Sequence, residues 1–344
     1  MLTRRLLCAA ASALLAAPLV NSAPVGAQEP ITVRIGWQPT TTVEAQIAHV
    51  LQKTDILERN GLKGQFNMFT FGPAVNEALV SGAIDVGLVG DMPSVSLAAV
   101  GAPIKIIGRQ SVFRGAIIAT TKSGIKTMAD LKGKSLHGPF GSSIYLSALA
   151  MVEKAGLKAG SDVTMINMGF ADLSDAMRAG KIDAAFVWDP WIENFVEKDI
   201  ARVIDQDTSL TMVIPMREDL MKRHPQAAER FLRAHKEASV FAAANHDLVN
   251  KWFQEPEVAR QLSTAVVQKT TAFDPQWSAG DIKDIRVSFN DAELARYLGL
   301  AKRAHELKIY PVQPALSQKM DLTAAKKLDA SPWAFDPKSV KVKN

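Results

Sequence analysis

The chain has 344 residues, of which 47% are hydrophobic and 22% charged, and its formal net charge is +5. This composition is typical of a globular protein long enough for two domains, and it excludes a mainly disordered chain. Basic and acidic residues are interleaved with few aromatics among them, so a nucleic-acid surface has no support. Lys338, Lys341 and Lys343 are expected to lie in a solvated C-terminal tail.

The first 27 residues have the pattern of an export signal. Arg4 and Arg5 precede an apolar run that continues to Val20 and is too short to span a bilayer comfortably. Val25 and Ala27 fit the small-residue positions of a cleavage site after Ala27. The two arginines also resemble a twin-arginine signal, so the export route stays open. We therefore predict that the protein is exported.

The predicted mature chain has no cysteine, because Cys8, the only one in the sequence, lies within the signal. This excludes a disulfide, a thiol nucleophile and a cysteine-based metal site from the mature protein. No two of the six histidines have the spacing of three to five residues that is typical of metal ligands. A phosphate loop and a dinucleotide glycine pattern are also absent from the sequence. We expect neither a metal nor a cofactor.

Strand and helix patterns alternate after the signal. A β-type run at 31–37 is followed by a polar turn and then by apolar positions at helical spacing up to Leu57. Residues 66–71 predict a second strand, 73–80 a short helix, and 82–89 a strand buried on both faces. This order predicts an α/β unit with a mostly parallel sheet.

The same order recurs about a hundred residues later. Residues 76–91 (NEALVSGAIDVGLVGD) align without a gap on residues 174–189 (SDAMRAGKIDAAFVWD), with six identities that end on Asp91 and Asp189. Some of these identities could arise by chance. Chance explains less well why the order of strands and helices also matches. We interpret the chain as two copies of one α/β unit.

The second copy is followed by strand-like segments at 202–216 and then by a mainly helical region. Helices are predicted at 227–244, 258–268 and 292–307. Because these helices have no counterpart in the second copy, we expect them to pack on the first copy.

This interpretation gives two lobes. Lobe 1 comprises residues 28–114 and 213–344, and lobe 2 comprises residues 115–212. Two crossings, near 112–118 and 205–214, are expected to form the hinge on which the lobes close.

Four turns are expected at the cleft between the lobes, since ligands of open α/β sheets bind beyond the carboxyl ends of the strands. The turns lie at 38–42, 90–94, 138–143 and 188–191. Backbone N–H groups and hydroxyls at helix starts favour an anionic group such as phosphate, sulfonate, nitrate or carboxylate. Taken singly, the polar residues of these turns are more simply explained as N-caps, so the prediction depends on the turns converging.

Aromatic and charged side chains at these turns allow more than one role. Trp188 could wall a pocket or pack between the lobes, and Phe140 has the same ambiguity. Asp91 and Asp189 could hold an amine or could only cap helices, and no nucleophile paired with a base lies near them. Arg114, beside the expected hinge, could reach an anion or lie at the surface.

Several short motifs follow one another along the chain: IGWQP at 35–39, EAL at 77–79, GAID at 82–85, GDMP at 90–93, DLKGK at 130–134, GSS at 141–143 and WDPW at 188–191. Their order and spacing resemble the substrate-binding proteins of nitrate/sulfonate/taurine-type ABC importers. The resemblance runs from Ile31 to beyond residue 300. It implies the two-lobed, type II-like periplasmic binding protein fold, closure on a ligand, and delivery to an inner-membrane permease. It implies no enzyme activity.

The resemblance and the residues weighed above give one set of ligand-binding candidates: Gln38, Thr40, Thr41, Asp91, Met92, Arg114, Phe140, Ser142, Ser143, Trp188 and Asp189. An alkanesulfonate or taurine-like anion is favoured, because the turns suit an oxyanion and the tryptophan suits a carbon chain. The two aspartates keep an amine-bearing or pyrimidine/aromatic ligand open.

The competing enzyme class is that of the thiamine-pyrimidine synthases, which resemble this family in fold. Those enzymes use clustered His and Cys residues, and the predicted mature chain lacks cysteine. The expected partners are a small-molecule ligand and the permease, with no nucleic acid, and the protein is expected to be a monomer.

Overall fold

The computed structural model describes residues 29–343, so the predicted signal peptide and Cys8 lie outside the described residues. The first copy consists of β1 (Ile31–Trp37), α1 (Thr42–Lys53), α2 (Ile56–Arg59), β2 (Leu62–Met68), α3 (Gly72–Ser81), β3 (Val86–Gly87), β4 (Val89–Gly90) and α4 (Asp91–Ala99).

The second copy follows a long strand and ends in another. Its elements are β5 (Ile104–Thr120), β6 (Lys134–Gly138), α5 (Ser143–Lys154), β7 (Val163–Asn167), α6 (Phe170–Arg178), β8 (Ala184–Trp188), α7 (Trp191–Glu197) and β9 (Ala201–Arg217). The remaining chain is helical, with α8 (Glu218–Arg223), α9 (Ala227–Ala244), α10 (His246–Phe253), α11 (Glu257–Arg260), α12 (Thr264–Thr271), α13 (Asp291–Glu306) and α14 (Thr323–Ala330). None of the helices within 29–343 is both long and apolar enough to cross a membrane.

The strand order confirms the internal repeat. It is β2-β1-β3-β9-β5-β8-β6-β7, with β4 also beside β9. In the first half β1 runs parallel to β2 and β3, and β9 closes the group antiparallel. In the second half β6 runs parallel to β7 and β8, and β5 closes the group antiparallel. Each half is therefore mostly parallel, as predicted, and the second repeats the first in mirrored strand order.

The two halves are joined by a β-ribbon rather than by loops. Strands β5 and β9 pair antiparallel along nearly their whole length, so 202–216 belongs to one strand and not to several segments. Both expected crossings lie within this ribbon. Its register shifts at Arg109/Ser111 and at Phe113/Gly115, and such bulges bend and twist a strand pair. The lobe boundaries near residues 114 and 213 stay a prediction.

Some predicted elements differ from those observed. Residues 82–89 do not form one strand. Residues 82–85 lie in the turn after α3, and the strand that follows is interrupted at Leu88, whose N–H donates to Gly36 O, between β3 and β4. The helix predicted at 258–268 is divided into α11 and α12, and the Ser263 hydroxyl caps α12 by accepting from Val266 N. The Ser263 cap therefore starts a new helix within a segment whose helical periodicity predicted a single one.

The late helices pack mainly on the first copy, as expected, but two of them also contact the second copy. Helix α9 packs against α1, whereas α13 packs against α4 of the first copy and α5 of the second. Helix α12 contacts α1 as well as α7 of the second copy. There Lys269 Nζ lies 2.5 Å from Glu193 Oε2, and Ser263 Oγ donates to Glu197 Oε1 at 2.6 Å. The expectation that these helices pack on the first copy is therefore incomplete for α12 and α13, which contact both copies.

The C-terminal lysines do not form a solvated tail. Val342 pairs with Thr54, and the Lys341 backbone N–H donates to Asp55 Oδ1 at 2.9 Å. Lys343 Nζ lies 2.7 Å from Glu58 Oε1. The chain end therefore docks on the first copy through backbone pairing, which composition alone does not reveal.

Candidate functional site

A small cavity lies between the two halves of the sheet. Its volume is about 30 Å³, and residues from both halves line it: Gln38, Thr41, Phe71, Gly72, Gly90, Pro93, Phe113, Ser142, Ser143, Ile144, Trp188 and Met212. All four turns expected from the sequence contribute to this lining. The cavity has room for about two water-sized groups.

Four helices begin at this cavity. Thr41, Phe71, Gly90 and Ser142 are the N-caps of α1, α3, α4 and α5, and none of them caps its helix with a side chain. The first backbone N–H groups of a helix have no partner within the helix, and the helix dipole makes that end positive. The cavity therefore lies at four positive helix ends, which is an arrangement suited to an anionic group.

The turn after β1 is held by a buried carboxyl group. The Gln38 N–H donates to Glu44 Oε1 at 3.0 Å, and Gln38 Nε2 donates to Leu88 O at 3.0 Å. Complete burial raises the pKa of Glu44 well above its usual value, with the Gln38 N–H acting in the opposite direction. In the same turn the Thr40 hydroxyl donates to Thr70 O, so Thr40 does not line the cavity while Thr41 does.

The turn before α5 brings the two halves into contact. Ser142 Oγ donates to Pro139 O at 2.7 Å, and Ser143 Oγ faces Gly90 of the first copy. A Cβ at position 90 would come within 2.1 Å of Ser143 Oγ, so any other residue there would force the Ser143 side chain to turn away. Phe140 lies outside the lining and stacks on Tyr145 with ring centroids 4.3 Å apart.

Two tryptophans bind the second copy to the first. Trp188 Nε1 and Trp191 Nε1 both donate to the backbone carbonyl of Thr40, at 2.9 and 3.0 Å. Phe170 packs against both indoles, with centroid distances of 5.4 and 4.9 Å. Trp188 thus has both roles that its position allows, because it lines the cavity and also packs between the halves.

Asp189 and Arg114 neutralise each other away from the cavity. Arg114 Nε and Nη2 donate to the two Asp189 carboxylate oxygens at 2.8 Å, and Nη2 lies 2.5 Å from Glu193 Oε1. Burial raises the pKa of Asp189 to about 6, with Arg114 opposing that rise. Burial also opposes ionisation of Glu193, but Lys269 and Arg114 outweigh it and lower the pKa of that carboxyl. Arg114 is therefore engaged by two carboxylates and does not face the cavity.

Asp91 is also paired, but with a distant residue. Its Oδ2 accepts from Arg296 Nη1 at 2.7 Å and from Thr211 N at 3.2 Å, and its Oδ1 accepts from Met92 N at 2.8 Å. Asp91 and Met92 are fully buried and absent from the cavity lining. Of the predicted candidates, the structure thus brings Gln38, Thr41, Ser142, Ser143 and Trp188 together and places the others outside the lining.

Several lining residues have no place in the sequence-based set. Phe71 and Gly72 begin α3, and the Gly72-Pro73 step is a helix-start signal that could have indicated this turn. Phe113 and Met212 come from the β5/β9 ribbon, and no local pattern marks them. Among residues 29–343, no group of three or more His, Cys, Asp or Glu side chains is placed to hold a metal ion.

Comparison with known proteins identifies the family. The model of the NMT1-like family matches residues 26–254, which is well over half of the sequence. The chain belongs to this family. A Brucella abortus protein named only as a binding protein is 30% identical over 223 residues, spanning 62% of this chain and 68% of that protein.

Two further relatives carry more specific names. The taurine-binding periplasmic protein of Escherichia coli is 26% identical over 239 residues, covering 68% of this chain and 72% of that protein. The alkanesulfonate-binding protein SsuA from Xanthomonas axonopodis pv. citri, solved with bound MOPS, superposes with a TM-score of 0.72 at 22% identity, covering 86% of this chain and 100% of SsuA. The periplasmic binding protein fold predicted for this member of the NMT1-like family is thereby confirmed.

Proposed function

We propose that this NMT1-like protein is the solute-binding component of an ABC importer in the periplasm, where it captures a small organic anion such as an alkanesulfonate or a taurine-like molecule. The observation that carries the proposal is the meeting of four helix N-termini at one interlobe cavity, with no N-cap side chain bonded to its own helix. At α4 the Asp91 carboxylate accepts from Met92 N, whereas no side chain accepts from the described first-turn N–H groups of α1, α3 and α5. Such ends attract an oxyanion through backbone N–H groups and helix dipoles. The names of the taurine- and alkanesulfonate-binding relatives support the same ligand class.

The proposed mechanism is capture by closure of the two halves on the β5/β9 ribbon. Ser143 meets Gly90, and the two tryptophans meet Thr40, only when the halves approach each other. A ligand that contacts both halves adds free energy to the closed form alone and raises its population. The closed monomer then delivers the ligand to a membrane permease, and no bond in the ligand is made or broken.

The charges around the cavity favour an anion over an amine-bearing ligand. Asp91 and Asp189, the groups that could anchor an amine, are each paired with an arginine and do not line the cavity. The lining also contains no histidine, cysteine, lysine or carboxylate that could act as base or nucleophile. These contacts support a binding role rather than catalysis.

The test is a thermal-shift screen followed by calorimetry, with protein freed of bound ligand and kept in a buffer without sulfonates. Taurine, alkane- and arylsulfonates, nitrate, carboxylates and pyrimidines form the panel. A true ligand at a hundred times its dissociation constant should add about 2.7 kcal/mol to the free energy of unfolding. Stabilisation by a pyrimidine or an amine alone would contradict the proposal.

Ser143→Ala tests the site itself. If the hydroxyl donates to the bound oxyanion, we expect binding to weaken by about 1–2 kcal/mol. Ser161→Ala, at an exposed turn after α5, is the matched control and should bind as the wild type does. Equal affinity for the wild type and Ser143→Ala would remove this hydroxyl from the site.

A further inference from the structure

A second space adjoins the small cavity. It is a groove of about 600 Å³ between the β1–α1 turn and the end of β2 in the first copy, the start of α6 in the second copy, and helix α11. We infer that this groove receives the apolar body of the ligand, so that the protein takes a singly charged sulfonate or similar anion with a ring or long chain, rather than one as small as taurine. This inference rests on the proposed function.

Size decides against the cavity as the whole binding site. Pockets that enclose organic ligands typically measure about 300–1,000 Å³. The cavity, at about 30 Å³, can hold an anionic head group and little more, whereas the groove lies within that range. A ligand whose anion occupies the cavity must therefore extend out of it.

The groove is the expected exit, because Phe71 lines both spaces and neighbouring residues of the same turns line one or the other. The Thr40 carbonyl, which holds both indoles, lies in the turn between them, and Thr40 itself lines the groove. On the opposite wall, Trp188 of the cavity packs on Phe170 of the groove. A ligand passing between Phe71 and Trp188 would contact aromatic faces on both sides.

The walls of the groove are suited to hydrocarbon. Apolar side chains reach it from three separate parts of the chain: Met68 and Phe69 from the end of β2, Phe170 from α6, and Pro256 and Val258 from α11. Met68 is 58% exposed, so much of its side chain is available to a ligand in the groove. A ring laid between these side chains would remove their apolar surface from water on several sides at once.

The charged rim limits the ligand to one anionic group. Asp172, Asp175 and Glu257 line the groove, against one basic residue, Arg178, whose Nη1 lies 3.6 Å from Asp175 Oδ1. The excess of carboxylates repels a second anion at the far end of the ligand. It tolerates a neutral or amine-bearing body.

A matched pair of ligands tests the inference by titration calorimetry of the protein in a buffer without sulfonates. Propanesulfonate and 3-phenylpropanesulfonate share their head group and chain and differ by one uncharged ring. We expect the ring-bearing ligand to bind at least about tenfold more tightly, the effect of burying roughly 60 Å² of apolar surface. Benzenesulfonate should likewise bind at least about tenfold more tightly than benzene-1,3-disulfonate, because the rim carboxylates repel the second sulfonate.

Val258→Asp places a charge in the groove, and Val80→Asp places the same charge on an exposed valine of α3 as the control. We expect Val258→Asp to weaken the ring-bearing ligand about fivefold or more while leaving propanesulfonate within about twofold, and Val80→Asp to change neither. Met68→Glu, at the more exposed end of the groove, should act in the same direction if Val258→Asp does not fold.

The outcomes separate the two proposals. Equal affinity for the two propanesulfonates, or equal weakening of both by Val258→Asp, would overturn the groove inference and leave the anion site standing. If neither ligand binds and no other anion stabilises the protein, the proposed function itself fails. Weaker binding of both ligands by Ser143→Ala, with only the ring-bearing ligand weakened by Val258→Asp, would support both proposals.

Discussion

Asp91 and Asp189 occupy the same position in the two copies of the repeat, and both are at most 1% exposed. The second copy neutralises its aspartate with Arg114 from the adjacent ribbon, whose side chain is 6% exposed. The first copy depends on Arg296, which lies 205 residues further along the chain in α13 and is 24% exposed. The repeat therefore determines where a carboxylate is buried. Its arginine partner comes from a different part of the chain in each copy. We expect the free energy of unfolding to fall more when the more deeply buried arginine is removed.

The largest expected effect is at Arg114. Arg114→Met leaves Asp189 buried without its bidentate partner, and we expect the free energy of unfolding to fall by about 3–5 kcal/mol. Urea denaturation measures the change. The double variant Arg114→Met/Asp189→Asn removes the buried charge as well and should recover part of the loss. A double variant as unstable as the single one would show that the unpaired charge is not the cause.

Acid should destabilise the first copy more than the second. Burial lowers the pKa of His49 in α1 to about 4 and of His235 in the adjoining α9 to about 3, whereas α5, the counterpart of α1, contains no histidine. Both imidazoles stay neutral in the folded protein and become charged on unfolding below about pH 6.5. Stability should fall as pH drops from about 6.5 towards 4, by up to about 1.4 kcal/mol per pH unit for each histidine.

Unfolding of His235→Leu across this pH range tests the assignment, and His224→Gln, at a half-exposed position, is the control. The acid slope should become shallower in His235→Leu and stay the same in His224→Gln. An unchanged slope in both would place the acid-sensitive groups elsewhere.

The arginine of the first copy should matter less than that of the second. Arg296→Gln removes an ion pair whose guanidinium is partly in water, and Asp91 keeps its bonds from Met92 N and Thr211 N. We expect a loss of about 1–3 kcal/mol in the same urea experiment. If Arg296→Gln lowers the free energy of unfolding as much as Arg114→Met does, the loss does not depend on how deeply the arginine is buried.

The smallest effect is expected at Glu44, which has no counterpart in α5. Burial raises its pKa, so the folded state holds this carboxyl protonated at a pH where the unfolded chain would ionise. Its contribution to stability is present at low pH and is lost as pH rises above about 4.5 and through the folded pKa. Glu44→Gln keeps an acceptor for the Gln38 N–H and should raise the melting temperature at pH 8 but not at pH 4. A lower melting temperature at pH 8 would contradict this.

Local sequence predicts some of the residues that line the cavity but not others. Gln38, Thr41, Ser142, Ser143 and Trp188 each lie at the end of a strand, just after one, or at the start of a helix, and turns of that kind can be recognised one at a time. Phe113 and Met212 lie within long strands, where nothing local distinguishes them from core residues. The orientation of Thr40, whose hydroxyl turns to Thr70 while its carbonyl holds two indoles, is likewise set by neighbours that come from other parts of the chain.

The sequence by itself determined the α/β class, the duplication, strand β1 at 31–37 and helix α9 at 227–244. These features depend on hydrophobic periodicity and on turn residues, which involve residues close together in the chain. Only the tertiary structure decided the pairing of β5 with β9, the docking of α12 on both copies, and the arginine assigned to each buried aspartate. These depend on groups separated by tens to hundreds of residues. Burial makes such contacts obligatory, since a buried charge needs a partner, but it does not specify where in the chain that partner lies.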